Sequence, residues 1–150
     1  MSAELAVPET PTIRTEVQVM FFDTDCAAVV HNIAYLRFIE VARTLLAEQL
    51  GMALATMAET ALYPVVVRTE IDYKRPARLS DKLVIDGRLD SIERFRFWCA
   101  FEIIRPADGA LIAQSRQMLA CIQMPAGKPV PLPEDWGTRY AHLRKVRGRV

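Results

Sequence analysis

The chain has 150 residues, of which 51% are hydrophobic, and carries 19 basic against 18 acidic side chains. That length fits one domain with a core of its own, and the near-neutral balance excludes a nucleic-acid protein held by bulk charge. No apolar run approaches the ~18 residues that a membrane helix needs.

The N-terminal MSAELAVPETPT has neither the basic start nor the long apolar segment of a signal peptide, and residues 1–13 read as a flexible arm. Glu16 to Phe22 alternates, with Val17, Val19 and Phe21 opposite Glu16 and Gln18, which predicts a half-buried strand. The strand delivers two carboxylates, Asp23 and Asp25, to a short loop, and a His31-Asn32 pair follows. Leu36, Ile39, Ala42 or Arg43, Leu46 and Leu50 then recur at three- and four-residue intervals, the spacing of a helix face. Asn32 is a favoured N-cap and Gly51 a favoured stop. Phe38, Val41 and Leu45 widen the stripe, so the helix is expected to be mostly buried. All nine prolines lie outside Thr12 to Tyr63, which leaves this unit unbroken.

The Ala-rich MALATMAETALYP suits either an extension of the helix or a short second one. From Pro64, residues Val65, Val67, Thr69, Ile71 and Tyr73 alternate against Val66, Arg68, Glu70, Asp72 and Lys74, a second strand ended by Pro76. Leu83 to Asp90 predicts a third strand. Phe95 to Ile104 predicts a fourth, with Phe95, Phe97, Cys99, Phe101 and Ile103 on one face, and Ala110 to Gln123 a fifth. Pro106 to Gly109 carries turn chemistry that joins the last two as an antiparallel hairpin. Pro125 to Pro133 holds four prolines in nine residues and is expected to carry no ladder. Residues 135–150 read as a basic tail containing Arg139, Arg144, Lys145, Arg147 and Arg149. Residues 14–134 are therefore expected to form one α+β domain, a long helix packed on a mainly antiparallel five-stranded sheet. Cys26, Cys99 and Cys121 are odd in number and widely spaced, giving no disulfide framework and no metal set, and they favour a reducing, cytoplasmic setting.

One constellation stands out by its spacing. Phe22, Asp23-Thr24-Asp25, the small-residue run Cys26-Ala27-Ala28 ending in Val29-Val30, His31-Asn32, Tyr35, Glu40 and Ala42-Arg43 follow one another at fixed intervals. IDYKRPARLSDKL (Ile71 to Leu83) and KPVPLPE (Lys128 to Glu134) come later. Together, from about Val17 to Glu134, they resemble the hotdog-fold acyl-CoA thioesterases. The likeness is greatest to the 4-hydroxybenzoyl-CoA thioesterase-like group that includes the Tol-Pal-associated enzymes. The resemblance implies a hotdog fold, a sheet wrapped round a central helix, and hydrolysis of an acyl-CoA thioester to a carboxylic acid and CoA without metal or other cofactor. It also implies a homodimer or homotetramer with active sites at the interface. Two positions depart from the pattern: Ala28 stands where members often carry glycine, and Asn32 where many carry histidine.

Asp25 is the foremost catalytic candidate, because a carboxylate can attack a thioester carbonyl or activate water. Unpaired N–H groups near His31 to Ile33 would hold the developing oxyanion, a role that the resemblance assigns to the main chain at Asn32. His31 is a candidate for orienting substrate or water, and Tyr35 for lining the acyl pocket. Lys74, Arg75, Arg78, Arg94 and Arg96 form, as a group, the candidate site for the CoA phosphates. Asp23 reads as a structural acceptor, Glu40 and Arg43 as a structural i,i+3 pair, and Cys26 as a thiol without a base. Two other readings remain open: an acyl-carrier-protein thioesterase, and a non-catalytic acyl-thioester binding protein.

Overall fold

A computed structural model describes residues 9–145. Five long strands make one antiparallel sheet: β1 (Thr12–Gln18), β2 (Leu62–Tyr73), β3 (Lys82–Ile92), β4 (Arg96–Arg105) and β5 (Ala110–Gln123), in the spatial order β1-β3-β4-β5-β2. Helix α1 (Asn32–Gln49) lies against the inner face. Gly51, at φ 78°, breaks the chain after it, and the ambiguous Ala-rich stretch becomes a separate helix, α2 (Leu54–Thr60). The α+β arrangement is the one the element order predicts.

Alternation puts Leu83, Ile85 and Leu89 of β3, Phe97, Cys99, Phe101 and Ile103 of β4, and Leu119 and Cys121 of β5 on the inner face. They meet Ala34, Phe38, Ile39, Ala42 and Leu46 of α1. Gly87 lets the Phe101 ring lie across β3, since a Cβ there would come within 2.9 Å of that ring. The outer face is polar, as one face of an antiparallel sheet can be. Arg14 pairs with Asp86 at 2.7 Å and Arg116 with Asp90 at 3.1 Å. Trp98, on that face, is flanked by the Arg116 guanidinium at 4.3 Å and the Lys145 ammonium at 5.2 Å.

Several expectations are corrected. The helix is not mostly buried: one sheet covers one helix face, and Leu36, Val41 and Ile33 (65% exposed) are left outside. The first strand runs earlier than Glu16 to Phe22, because the Asp23 carboxylate accepts from Met20 N at 2.9 Å and draws Phe21–Asp23 into a 3-10 turn. Phe21 is consequently 81% exposed rather than on the buried side. In β2 a bulge at Val67 shifts the register between Val66 and Arg68. Val66 therefore faces inward with Thr69, Ile71 and Tyr73, while Val65 and Val67 are exposed. The proline-rich stretch does make a ladder, the two-residue β6 (Lys128–Pro129) beside Ile122 and Gln123, using Val130 N as the donor that proline lacks.

The chain ends also close down further than a loose arm and tail. Trp136 and Tyr140 are buried, with Trp136 edge-on to Phe97 at 5.2 Å, so aromatic burial outweighs the basic character of Trp136–Arg139 (α3) and the turn after it. Glu9 pairs with Arg139 at 3.0 Å, and Leu89 N donates to Pro11 O. Residues 1–8 of the arm, and Arg147 and Arg149 of the tail, lie outside the described residues.

Candidate active site

The site is built where β1 hands the chain to α1. Asp23 is 1% exposed; its carboxylate holds Met20 N and forms an ion pair with Arg37, and its carbonyl accepts from His31 N at 3.0 Å. These contacts fix both ends of the intervening loop, the structural part expected of Asp23. Within the loop Asp25 N donates to Val29 O at 2.9 Å and Ala28 N donates to Asp25 O at 3.0 Å. Thr24 bridges Val30, and Val29 bridges Arg78. Ala28 sits at φ 60°, a left-handed position that costs an L-residue roughly 1–2 kcal/mol and that glycine fills freely. The loop takes this shape with alanine nonetheless.

The Asp25 side chain is exposed, with Oδ1 accepting from Ala27 N at 2.8 Å and Oδ2 without a partner among the described residues. His31, at φ −75° and ψ 153°, is the N-cap residue of α1, and no side chain caps the helix. Asn32 is therefore the first helical residue and not the cap. The difference follows from the tie between His31 N and Asp23 O, which holds His31 in the extended conformation a cap requires. The main-chain N–H groups of Asn32 and Ile33 have no acceptor among the described residues, which leaves two donors at the positive end of an 18-residue helix.

Beside these donors runs an open groove of about 320 Å³ that Asn32, Tyr35, Tyr73, Lys74 and Arg75 line. Tyr35 is buried, its hydroxyl accepts from Ala77 N at 3.2 Å, and burial pushes its pKa up, so it stays protonated. Tyr73, a residue that sequence reasoning missed, donates its hydroxyl to Asn32 O at 3.3 Å and packs on Tyr35 with ring centroids 5.5 Å apart. Arg78 stands by the loop, where its main-chain N–H donates to Asp81 at 2.9 Å. Arg105 secures Asp81 at 3.0 Å and Asp108 at 2.8 Å, and holds the Asp108 carboxyl down to about 2.

The basic group is split. Lys74 N bonds Ile112 O near the start of β5, whereas Arg96 pairs with Ala120 near its end. About 26 Å of strand separates the two within one chain. Arg94 covers the Phe95 ring at 5.0 Å, and Arg96 faces Glu93 at 3.6 Å. Lys74, Arg75 and Arg78 thus gather at the Asp25 end, while Arg94 and Arg96 lie at the opposite end. The Glu40–Arg43 pair is also corrected. Glu40 points to solvent, and half-buried Arg43 donates to Gln117 Oε1 at 2.7 Å, with Gln117 Nε2 donating on to Thr69 at 3.2 Å. Arg37 and Gln117 were likewise missed, because each acts through a partner, Asp23 and Arg43, that only the fold brings to it. Among the described residues no helix is long and apolar enough to cross a membrane.

Comparison with known proteins agrees with this geometry. A family model described as the thioesterase-like superfamily matches residues 19–140. The acyl-CoA thioester hydrolase YbgC of Escherichia coli is 31% identical, covering 84% of this chain and 93% of its own. A 1,4-dihydroxy-2-naphthoyl-CoA hydrolase of Synechocystis is 30% identical, over 88% of this chain and 96% of its own. The crystal structure of a 1,4-dihydroxy-2-naphthoyl-CoA thioesterase from Synechocystis matches with a TM-score of 0.76 at 28% identity, covering 88% of this chain and 97% of that one.

Proposed function

From the premise that this chain belongs to the thioesterase-like superfamily and has the hotdog fold, we propose that it is an acyl-CoA thioesterase with Asp25 at its centre. The enzyme is a hydrolase that releases a carboxylic acid and free CoA from an acyl-CoA thioester. The observation that carries the assignment to Asp25 is an exposed carboxylate in the loop that leads into a helix N-terminus, where two main-chain donors have no acceptor among the described residues. The donors of Asn32 and Ile33 take the carbonyl oxygen as charge develops on it. The Asp25 carboxylate then attacks the carbonyl carbon, or takes the proton of a water that does. Either route expels CoA as a thiolate that takes up a proton. After direct attack a water then hydrolyses the acyl–Asp25 anhydride, freeing the acid and the carboxylate, and neither route needs a cofactor. His31, between the loop and the helix, orients the substrate or the water.

Lys74 and Arg75 in the groove, with Arg78 beside it, serve the CoA phosphates. Arg94 and Arg96 join them only from a second copy. The 12-residue strand β2 ends the sheet, its outer side has no strand partner among the described residues, and Val65 and Val67 are exposed. Such an edge is a template for another strand, and symmetric antiparallel pairing of two β2 strands sets one copy's Tyr73 end beside its partner's Leu62 end. A homodimer with sites at the interface follows, and the uncovered apolar face of α1 suits further pairing into a homotetramer. Three free cysteines, one of them exposed, fit a cytoplasmic setting.

The test is release of free thiol from a panel of acyl-CoAs, and from the same acyl groups on acyl carrier protein. Turnover favouring the protein carrier would move the substrate to acyl carrier protein. Binding without any release would make the chain an acyl-thioester binding protein.

A further inference from the structure

Between the C-terminal half of α1, helix α2 and strands β2, β4 and β5 lies a cavity of about 210 Å³, walled by Leu46, Met57, Phe97 and Leu119. An apolar cavity of about 150 Å³ admits a benzene ring, so this one takes a single aromatic ring or a chain of about six carbons. One side chain is out of keeping with the rest. Arg43 borders the cavity, half-buried, and a guanidinium stays charged inside proteins. Burial pushes its pKa down, the mark of a cation short of compensation. Gln117 Oε1, a neutral acceptor, is its hydrogen-bond partner at 2.7 Å. Glu40, one turn earlier, is exposed and acts on it only through space. Cys99, also on the wall, supplies no negative charge, since burial pushes its thiol up to about 12.

We propose that this cavity receives the acyl group, and that Arg43 selects acyl groups carrying an anionic or hydrogen-bond-accepting oxygen at their far end. The proposal rests on the thioesterase reading above. Such an oxygen brings the guanidinium the partner it lacks, and the guanidinium offsets the desolvation of an anion in an apolar wall. A terminal ammonium would meet a like charge there. Geometry decides which copy's cavity serves which loop. Asn32 and Arg43 are separated by about 16 Å along α1, farther than a six-carbon chain reaches from a carbonyl held at Asn32. Pro64 stands at the cavity and at the start of edge strand β2. Antiparallel pairing of two β2 strands carries it to the partner's Tyr73 and Asn32. The cavity of one copy therefore serves the catalytic loop of the other.

The test is calorimetric binding of pantetheine amides of adipic, hexanoic and 6-aminohexanoic acid, in which nitrogen replaces the thioester sulfur and hydrolysis is blocked. The wild-type protein is expected to bind the adipoyl amide roughly 10- to 100-fold more tightly than the hexanoyl amide, the effect of a charge-assisted hydrogen bond. The aminohexanoyl amide should bind least. Arg43→Met should erase the adipoyl preference and Arg43→Lys retain part of it, whereas a merely structural arginine would weaken all three ligands alike. Equal binding of the adipoyl and hexanoyl amides by the wild type overturns the assignment, even if Arg43→Met does not fold. So does a preference that survives Arg43→Met. The expected binding order without thiol release from the matching thioesters overturns the hydrolase reading and leaves the cavity assignment standing. Release without discrimination does the reverse.

Discussion

Asp23 and Asp25 are separated by one residue and have opposite surroundings, which sets apart what their removal does. Asp25→Asn keeps size and reach but removes the charge. Thiol-release kinetics should show kcat lower by roughly 10²- to 10⁴-fold, the contribution of a positioned acid-base group, with KM little changed. Asp23→Asn breaks the ion pair between buried Asp23 and half-exposed Arg37, and urea unfolding should register a loss of about 1–3 kcal/mol. Ala28→Gly should act in the opposite sense. Relief of the left-handed strain, set against the extra freedom of an unfolded glycine, is expected to raise stability by roughly 0.5–1 kcal/mol. In the turn between β4 and β5 the Asp108 carboxyl is lowered from 3.8 to about 2 by Arg105. Its contribution is complete above pH 3.8 and is lost as pH falls toward about 2. Acid unfolding monitored in that window should lose its step in Arg105→Met.

For single elements, spacing made most of the fold legible. Alternation in β4 and the three-four rhythm of α1 were sufficient because the side chains they turn to the core are mostly apolar, whereas β5 places Ser115 and Gln117 on the same inner face. The phase of β2 was not legible, since Val65, Val66 and Val67 are chemically alike and no rule of alternation tells which one is extra. Asn32 as a cap failed for a related reason: main-chain ties from Asp23, remote from any capping preference, decided where the helix begins. The Asp25 loop was readable from a fixed pattern of residue types. Tyr73, Arg43 and Gln117 were not, because each matters through a partner brought near only by the folded sheet. Close packing between elements has its own test. At Gly87 an added methyl group would press on Phe101 and on Ile13, 3.1 Å away. Gly87→Ala is expected to lower stability by about 1–3 kcal/mol in denaturant unfolding, as overpacking does.

The whole molecule, in the proposed assembly, is larger than one chain. A lysine at Val65 and another at Val67 would put charge on the free edge, a device that deters strand pairing. Sedimentation should then show monomers, and thiol release should be lost with the dimer. Mixed dimers give a sharper reading. In a dimer of one Asp25→Asn chain and one Arg43→Met chain, a shared site leaves one active centre with both residues intact. Its adipoyl-to-hexanoyl preference should equal that of the wild type. Were both residues supplied by the same chain, the surviving centre would carry the Arg43→Met preference instead.

The aromatic closure by Trp136 has an optical consequence. The chain holds two tryptophans, and they stand on opposite faces of the sheet. Trp98 lies between two cations on the polar face, while Trp136 rests in the core against Phe97 and Tyr140. With Trp98 replaced by phenylalanine, the remaining emission comes from an indole that leaves the core only when the C-terminal segment peels away. The emission maximum then becomes a gauge of that segment alone. It would reveal whether the last turn closes on the sheet in step with the rest of the chain or after it.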